Sequence, residues 1–464
     1  MTCKKLLLLF LITVSVDSFA QSAIFTTVRL TGNINTKDHV ILREVLLEKD
    51  SAYWVCSKGN LGPLVEQSKN RILNLNLFNK VDVKLNNDSF SNGYSYYSLD
   101  INVVEKWYIW PIPFVEFSDR NFNVWGGLSF DAARTNYGLY AFNYNLFGLN
   151  HTLKTNLKTG YNTEIGLEYR IPYINEHSNW GINTLAKYAS QNEVWYGTTN
   201  DTLQFFKNGK KNLIQSTQAR VELTKRIRPM IKLSIGAGIE MGKLDSSVSS
   251  NDYFLNNANN QTNYGFDIMV ESDTRDNIYF PVKGIFFQPK VVLQHWTNNR
   301  STNNLKLQLK VQHFWRLSHK WYSALSYYTQ YNTERTLPYS TRKMFGYDEI
   351  IRGFEKYVID GNYGWKGNVA IRYHLLNKSN LKLNFVPIKN YKVLPFNIYL
   401  EAYGDGGKVS YQSPDATNKL VNQFLYSGGL GLNTLFYNDR LLRLEYSLNS
   451  LGEGGFFVHF KKAI

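Results

Sequence analysis

The sequence has few cysteines, few prolines and no long apolar run, and each shortage excludes a class of protein. Two cysteines among 464 residues exclude a disulfide-rich scaffold. The longest apolar segment, residues 6–16, is too short to cross a bilayer as a helix, which needs about 20 residues. Charged residues make up only 19% of the chain, so it is not a disordered polyelectrolyte.

Motifs for catalysis are missing as well. The eight histidines are scattered, with no HExxH motif and no cluster of cysteine and histidine, so we predict no metal site. A GxSxG motif is absent, and the glycine-rich residues 404–407 are followed by Lys408 and Val409, not by the adjacent Lys-Ser or Lys-Thr pair of a phosphate loop. The sequence therefore predicts a protein that is not an enzyme and has no cofactor.

Aromatic residues are abundant in this chain. Tyrosine (32), phenylalanine (28) and tryptophan (10) together make up 15% of the residues, against 11 prolines. Aromatic side chains suit pleated strands, and they form rims on membrane barrels. The composition therefore predicts a mostly β protein.

The N-terminal segment has the pattern of a secretory signal peptide. Lysines precede the apolar residues 6–16, and small residues follow, with Ala20 at the predicted cleavage point. We therefore predict residues 1–20 as a signal peptide. Its removal leaves Cys56 as the one cysteine and excludes an intramolecular disulfide. The net charge of +15 for the whole sequence indicates an anionic lipid surface or a charged lumen, since export makes nucleic acid a poor partner.

Residues 21–106 mix helical and strand periodicity. Three segments alternate apolar and polar residues, and two have apolar residues at spacings of three and four. In chain order the five lie at residues 24–30, 40–46, 61–75, 81–85 and 97–103. The pattern predicts a small α+β domain of order βααββ, with two helices on one face of a three-stranded sheet.

Beyond residue 107 the helical period disappears and long alternating segments recur. In residues 231–241, for example, five or more apolar side chains share one face and polar side chains or glycines share the other. We predict residues 107–121 as a linker, and sixteen strands between residues 122 and 464. They lie near 122–131, 137–147, 150–160, 163–172, 180–192, 212–226, 229–243, 262–272, 284–296, 304–317, 320–333, 363–375, 394–405, 421–436, 439–448 and 455–464.

Alternation alone fits a soluble sandwich, whose apolar face turns inward, or a membrane barrel, whose apolar face turns outward. Connection lengths favour the barrel, because tight turns follow the even strands and long polar loops follow several odd ones. Sorting of short turns to one rim and long loops to the other is typical of outer-membrane barrels. Closure also removes the unpaired edges of so large a sheet. We therefore predict a sixteen-stranded antiparallel transmembrane β-barrel.

Three motifs carry a resemblance to a known family. The longest connection, at about residues 334–362, contains Ile351, Arg352, Gly353 and Phe354. The connection after the eighth strand contains Asp273, Arg275, Asp276, Asn277, Pro281 and Gly284. The thirteenth strand carries Tyr403, Asp405 and Gly407 at alternate positions. Together with the N-terminal domain, which resembles a POTRA domain, these motifs are similar to the outer-membrane protein 85 family.

This resemblance implies a function and a location. The family includes the insertase of the barrel assembly machinery and the transporters of two-partner secretion, so the resemblance implies assembly, insertion or translocation of polypeptides at the outer membrane of a Gram-negative bacterium. The POTRA-like domain would lie in the periplasm. Implied partners are outer-membrane lipid, unfolded or extended polypeptide clients, and periplasmic or lipoprotein accessory subunits. A passive channel, or a surface interaction protein with POTRA as a docking module, is the alternative; an enzyme barrel is disfavoured by the missing catalytic motif.

The loop arginine has a predicted partner. Ile398, Leu400 and Ala402 make one face of the thirteenth strand, which turns Glu401 and Asp405 toward the lumen. Loop 6 folds back into the barrel in this family, and a buried guanidinium needs a carboxylate. We predict that Arg352 binds Asp405 or Glu401; the alternative is a solvated arginine in a surface loop.

Three further features concern individual strands. Glycines at 126 and 127 in the first predicted strand and at 454 and 455 in the last weaken pairing, which fits either a seam that opens sideways or relief of crowding. Phe456, Val458 and Phe460 resemble the C-terminal signal of outer-membrane barrels, although four residues follow Phe460 here. The strand at 79–86 is predicted to be an edge that either adds a client segment or is protected by its charges.

Overall fold

The computed structural model describes residues 20–56, 61–117, 135–248, 252–298, 301–382, 393–437 and 440–462. The predicted signal peptide, apart from its last residue, lies outside the described residues. So do the predicted first strand at 122–131 and both of its glycines, Gly126 and Gly127.

Within the described ranges, the N-terminal domain contains four strands and two helices. In chain order these are β1 (Ala20–Thr31), α1 (Asp38–Leu42), β2 (Ala52–Cys56), α2 (Leu61–Asn74), β3 (Phe78–Ser91) and β4 (Tyr94–Glu105). The sheet has the order β2-β1-β4-β3, with β1 parallel to β4. The predicted order βααββ thus lacked β2, because a strand of five residues is too short to display a period.

Glu105, at the end of β4, fixes the turn that precedes α1. Its carboxylate accepts hydrogen bonds from the backbone amides of Asn35 and Thr36, at 3.1 and 2.7 Å, and from the Asn35 side chain. Burial raises the pKa of Glu105, but the hydrogen bonds from Thr36 and Asn35 outweigh burial and hold the pKa below its ordinary value. The charged carboxylate therefore stabilises this turn.

We expect the turn to loosen in acid. A carboxyl whose folded pKa is depressed stabilises above its unfolded pKa, about 4.3, and this stabilisation is lost as the pH falls through the folded value. Hydrogen exchange of residues 33–42, corrected for the intrinsic pH dependence, should rise in acid. In the Glu105→Gln variant the corrected exchange should be independent of pH; the same acid response in both proteins would contradict this role.

Twenty strands follow the N-terminal domain: β5 (Ile109–Phe117), β6 (Thr135–Leu146), β7 (His151–Gly160), β8 (Asn162–Ile171), β9 (Trp180–Gln191), β10 (Val194–Thr199), β11 (Thr202–Phe206), β12 (Ile214–Arg228), β13 (Ile231–Leu244), β14 (Asn260–Asp273), β15 (Gly284–Thr297), β16 (Ser301–Arg316), β17 (Trp321–Asn332), β18 (Lys343–Phe345), β19 (Ile359–Asp360), β20 (Tyr363–Lys382), β21 (Val393–Ser410), β22 (Phe424–Phe436), β23 (Arg440–Asn449) and β24 (Gly454–Lys462). Of the strands in the described part of the chain, sixteen form one antiparallel sheet in chain order, whereas β10–β11 and β18–β19 are hairpins within long connections. Short 3₁₀ turns at Leu255–Asn257 and Tyr339–Thr341 lie in long connections too. The predicted mostly β, sixteen-stranded antiparallel architecture is confirmed.

The start of the sheet differs from the prediction. Residues 109–117, expected within the linker 107–121, form β5 and pair with β6. Pro111 and Pro113 hid this strand, because proline interrupts a strand pattern; proline is tolerated in β5 because β5 is at the edge of the sheet. The opposite end of the sheet comes close: the guanidinium of Arg440, on β23 next to the edge strand β24, lies 6.0 Å from the centre of the Trp110 ring on β5.

The sheet has its apolar face outside and its polar face inside. Leu430 and Phe456 are 68% and 78% exposed on the outer face, whereas Asp267 and Glu401 are 2% and 3% exposed on the inner face. This distribution is the reverse of a soluble sandwich and is that of a membrane barrel. None of the helices in the described ranges is long and apolar enough to cross a membrane, a finding that does not bear on strands.

Aromatic side chains border the outer apolar face at both rims. Near the long loops, Trp365 packs 6.0 Å from Phe424, which stacks on Tyr426. Near the short turns, Trp321 packs 5.0 Å from Tyr373. Trp365 and Tyr373 are eight residues apart on β20, or about 26 Å along the strand at ~3.3 Å per residue. Because strands of outer-membrane barrels are tilted by about 35–45°, this length corresponds to a height of about 20 Å, which is comparable with their apolar band of about 25 Å.

Candidate functional site

Loop 6, here residues 333–362 between β17 and β20, folds inside the barrel. Ile351 and Phe354 are 1% and 2% exposed and belong to an apolar cluster that includes Val409 of β21 and Leu425 of β22. Gly353 between them has φ +83, a conformation that favours glycine, and its carbonyl accepts a hydrogen bond from the Asn449 side chain at 2.8 Å. The apolar residues of the motif thus anchor the loop on either side of Arg352.

Arg352 binds three carboxylates. Its Nη2 donates to Asp405 Oδ1 at 2.8 Å, while Nη1 donates to Glu401 Oε1 at 2.8 Å and to Glu445 Oε1 at 3.0 Å. Nε and the backbone amide of Arg352 also donate to Asp405, at 3.2 Å. The predicted partners, Asp405 and Glu401, are therefore both in contact with Arg352. Glu445, on β23, was not predicted as a partner.

An aromatic ring and further charges complete the site. The Arg352 guanidinium lies 3.4 Å from the centre of the Tyr403 ring, and the Tyr403 hydroxyl is hydrogen-bonded to Ser447. Arg372 donates from Nε to Glu401 Oε2 at 2.6 Å, and Arg443 Nε lies 3.7 Å from Glu445. Three arginines therefore face three acids, which offsets the cost of burying each charge.

The motif between β14 and β15 folds into the short-turn rim of the barrel. Arg275 pairs with Asp273 at 2.6 Å and lies 4.2 Å from the centre of the Phe286 ring. The Asp276 carboxylate accepts hydrogen bonds from the backbone amides of Asn277, Val282 and Lys283, at 3.0 to 3.2 Å. These bonds hold the turn in a fixed shape.

Arg372 links the two motifs. Its Nη1 donates to the carbonyl of Pro281 at 2.7 Å, and its guanidinium lies 4.3 Å from the centre of the Phe280 ring. Its Nε binds the same Glu401 that binds Arg352. Turn and loop are thus joined through one buried acid. The alternating pattern of β20 predicts that Arg372 faces the lumen, but no local sequence pattern indicates which groups it contacts there.

Gly284 has the greatest steric constraint within the turn motif. Its φ is +102, and a Cβ there would lie 2.3 Å from the Thr274 carbonyl oxygen. We expect Gly284→Ala to lower the free energy of unfolding by at least ~1–2 kcal/mol, measured in urea. Gly166→Ala, whose Cβ would meet nothing closer than Asn156 Cβ at 3.7 Å, is the control. Equal effects of the two substitutions would contradict this steric reason.

The N-terminal domain docks on the short-turn rim. Glu44, whose side chain is 2% exposed, accepts hydrogen bonds from Arg226 of β12 at 2.7 and 2.8 Å and from Arg71 of α2 at 2.6 Å. Arg43 lies 3.4 Å from the centre of the Tyr173 ring in the turn after β8. Between α2 and the barrel interior lies a cavity of about 990 Å³. The domain therefore covers part of the mouth of the lumen.

The last strand presents the residues of the predicted C-terminal signal to the outside. Phe456, Val458 and Phe460 are exposed on the outer face of β24, and Phe457 and His459 point inward. Gly454 and Gly455 begin this strand, which ends the sheet opposite β5. Within the described ranges, no backbone pairing joins β5 to β24.

Comparisons with known proteins identify the family. A model of the Omp85 superfamily domain matches residues 145–435. The fold resembles the crystal structure of BamA from Haemophilus ducreyi lacking POTRA domains 1–3, at TM-score 0.52 and 13% identity over 95% of this chain and 85% of that one. It also resembles CdiB from Escherichia coli, at TM-score 0.55 and 11% identity over 94% and 75% of the two chains. No curated protein matches the sequence. Because the family model covers more than half of the sequence, the chain belongs to the Omp85 superfamily of outer-membrane β-barrels.

Proposed function

We propose that this protein assembles, inserts or translocates polypeptides at the outer membrane, without enzymatic activity. The observation that carries the proposal is the Arg352 site, in which a long loop is braced inside the lumen by three buried acids. A purely structural barrel has no need to bury so many charges, whereas a barrel with a passage needs its interior loop held in a defined position. Membership of the Omp85 superfamily supports a role in protein insertion or secretion.

We propose that the N-terminal domain is a periplasmic POTRA domain that receives the client. β3 is an edge strand of its sheet, and main-chain pairing to such an edge requires no particular client sequence. Lys80 and Asp82 of β3 form an exposed ion pair at 2.6 Å, which also suits an edge protected from aggregation. The cavity beneath α2 supplies a space between this domain and the lumen. Accessory subunits would bind this same domain.

We propose that the client leaves either through the lumen or between β5 and β24. The sheet ends at these two strands, and Gly454 and Gly455 contribute no side chain to the pairing of β24. The passive-channel alternative has less support, because loop 6 occupies the lumen and the N-terminal domain covers part of its mouth.

Depletion followed by quantitative proteomics of the outer membrane tests this function. We expect loss of particular barrel or surface proteins on depletion, and their recovery with the wild-type gene but not with Arg352→Ala. The Arg335→Ala variant, with an exposed arginine of the same loop replaced, should restore them as the wild type does. An unchanged protein inventory on depletion would contradict the proposal and favour a channel or docking role.

A further inference from the structure

Three potential metal ligands meet beside the Arg352 site. One of them, Glu445, also binds the Arg352 guanidinium, but it does so through Oε1 and turns Oε2 toward the other two. The three ligands are Glu355 of loop 6, Glu445 of β23 and His459 of β24, and their ligand atoms all lie within 4.8 Å of one another. His459 Nε2 is 3.1 Å from Glu355 Oε1 and 3.6 Å from Glu445 Oε2. The three residues come from separate elements that converge on one point of the lumen.

Both carboxylates have an oxygen without a hydrogen-bond partner. The side chains of Glu355 and Glu445 are 2% and 1% exposed, yet Oε2 of each has no hydrogen-bond partner within the described ranges. Glu445 uses its other oxygen, Oε1, for Arg352. A buried carboxylate oxygen without a donor is costly, and a cation at this point would satisfy both acids.

The two distances to His459 are compatible with the geometry of a metal site. Ligand bonds of about 2.0–2.2 Å in a tetrahedron separate neighbouring ligand atoms by about 3.4 Å, and the two distances to His459 lie on either side of this value. One imidazole and two carboxylates suit a first-row divalent ion such as Zn²⁺, whereas Ca²⁺ and Mg²⁺ prefer oxygen ligands alone. His459 is 28% exposed, so an ion can reach the site from solvent.

We propose that Glu355, Glu445 and His459 bind one divalent transition-metal ion. Its remaining coordination positions are taken by water. The ion joins loop 6 to the last two strands of the sheet, next to the edge formed by β24. This inference goes beyond the proposed function, because metal binding at these residues depends on neither a client nor transport.

Equilibrium dialysis of the tag-free, full-length protein against ZnCl₂ tests the site. We expect the wild type to bind one equivalent of Zn²⁺. We expect His459→Ala and Glu355→Gln to bind Zn²⁺ at least about 100-fold more weakly, since loss of even an indirect ligand contact typically weakens metal binding 10–100-fold. His374→Ala is the matched control, because His374 is also on an inward strand position but is bonded to Asn397. X-ray absorption of the bound Zn²⁺ should show one imidazole among oxygen ligands.

Glu355→Gln keeps the test valid if His459→Ala fails to assemble, because Glu355 lies in loop 6, outside the sheet, and the substitution preserves its shape. Failure of the wild type to bind Zn²⁺ would overturn the proposal. Equal binding by the wild type and both ligand variants, or a zinc spectrum without imidazole, would overturn it too.

Discussion

Replacing Arg352 by alanine is expected to release loop 6 from the lumen. The substitution leaves Asp405, Glu401 and Glu445 buried without their shared guanidinium. Glu401 and Glu445 keep Arg372 and Arg443, but Asp405 keeps no ion pair within the described ranges. Removal of one partner from a buried ion pair typically costs ~3–5 kcal/mol, because the remaining charge has no compensation. A loss of this size shifts the equilibrium between docked and released loop by a factor on the order of 10² to 10³. Limited proteolysis of the detergent-solubilised protein should therefore cleave residues 334–362 much faster.

Two variants separate this effect from general destabilisation. Arg335→Ala removes an exposed arginine from the same loop and should leave cleavage unchanged. Arg352→Lys keeps the positive charge but loses the planar guanidinium that reaches three acids. We therefore expect a rate of proteolysis between those of the wild type and Arg352→Ala. If loop 6 of Arg352→Ala resists the protease as well as loop 6 of the wild type does, the ion pairs of Arg352 do not hold the loop in the lumen.

Replacing Glu44 by glutamine is expected to detach the N-terminal domain from the barrel rim. Glu44 lies between Arg71 of its own domain and Arg226 of β12, so removal of its charge leaves two guanidiniums facing each other. The cost is again ~3–5 kcal/mol, since the remaining charges are largely shielded from solvent. Hydrogen exchange should increase in the turn at residues 172–179 and at the end of β12, which the domain covers.

Glu48→Gln, an exposed acid of the same domain, is the control and should leave exchange at the rim unchanged. Wild-type exchange in the Glu44→Gln variant would mean that other contacts, such as the Lys37 amide with the Gly148 carbonyl at 2.9 Å, are sufficient for docking. Detachment would also widen access to the cavity between α2 and the lumen.

Strands with a sustained alternating pattern could be predicted from the sequence, because burial on one face imposes a period of two over ten or more residues. The missed strands did not meet this condition: β2, β10, β11, β18 and β19 have two to six residues each, and β5 contains Pro111 and Pro113. Strands β2 and β5 are positioned by their sheet neighbours, β1 and β6, and not by their own pattern.

The candidate site was predictable only in part, for a related reason. Alternation within β21 turned Glu401 and Asp405 to one face, so both were predicted partners of an arginine that folds inward. Glu445 and Arg372 are on other strands, and which charges meet depends on the register across the sheet and on how deep the loop descends. The proposed metal ligands at 355, 445 and 459 have no local spacing that would have indicated them.

Paired cysteine substitutions on one strand test most directly the central claim of an apolar outside and a water-filled inside. Val291 of β15 is 41% exposed on the outer face, whereas its neighbour Val292 lines an inner cavity of about 200 Å³ with Arg220 and Asp267. In lipid vesicles, on a Cys56→Ser background, a fluorophore at Val291→Cys should be quenched by lipid-borne nitroxides. A fluorophore at Val292→Cys should respond to an aqueous quencher instead; the reverse pattern would contradict the account.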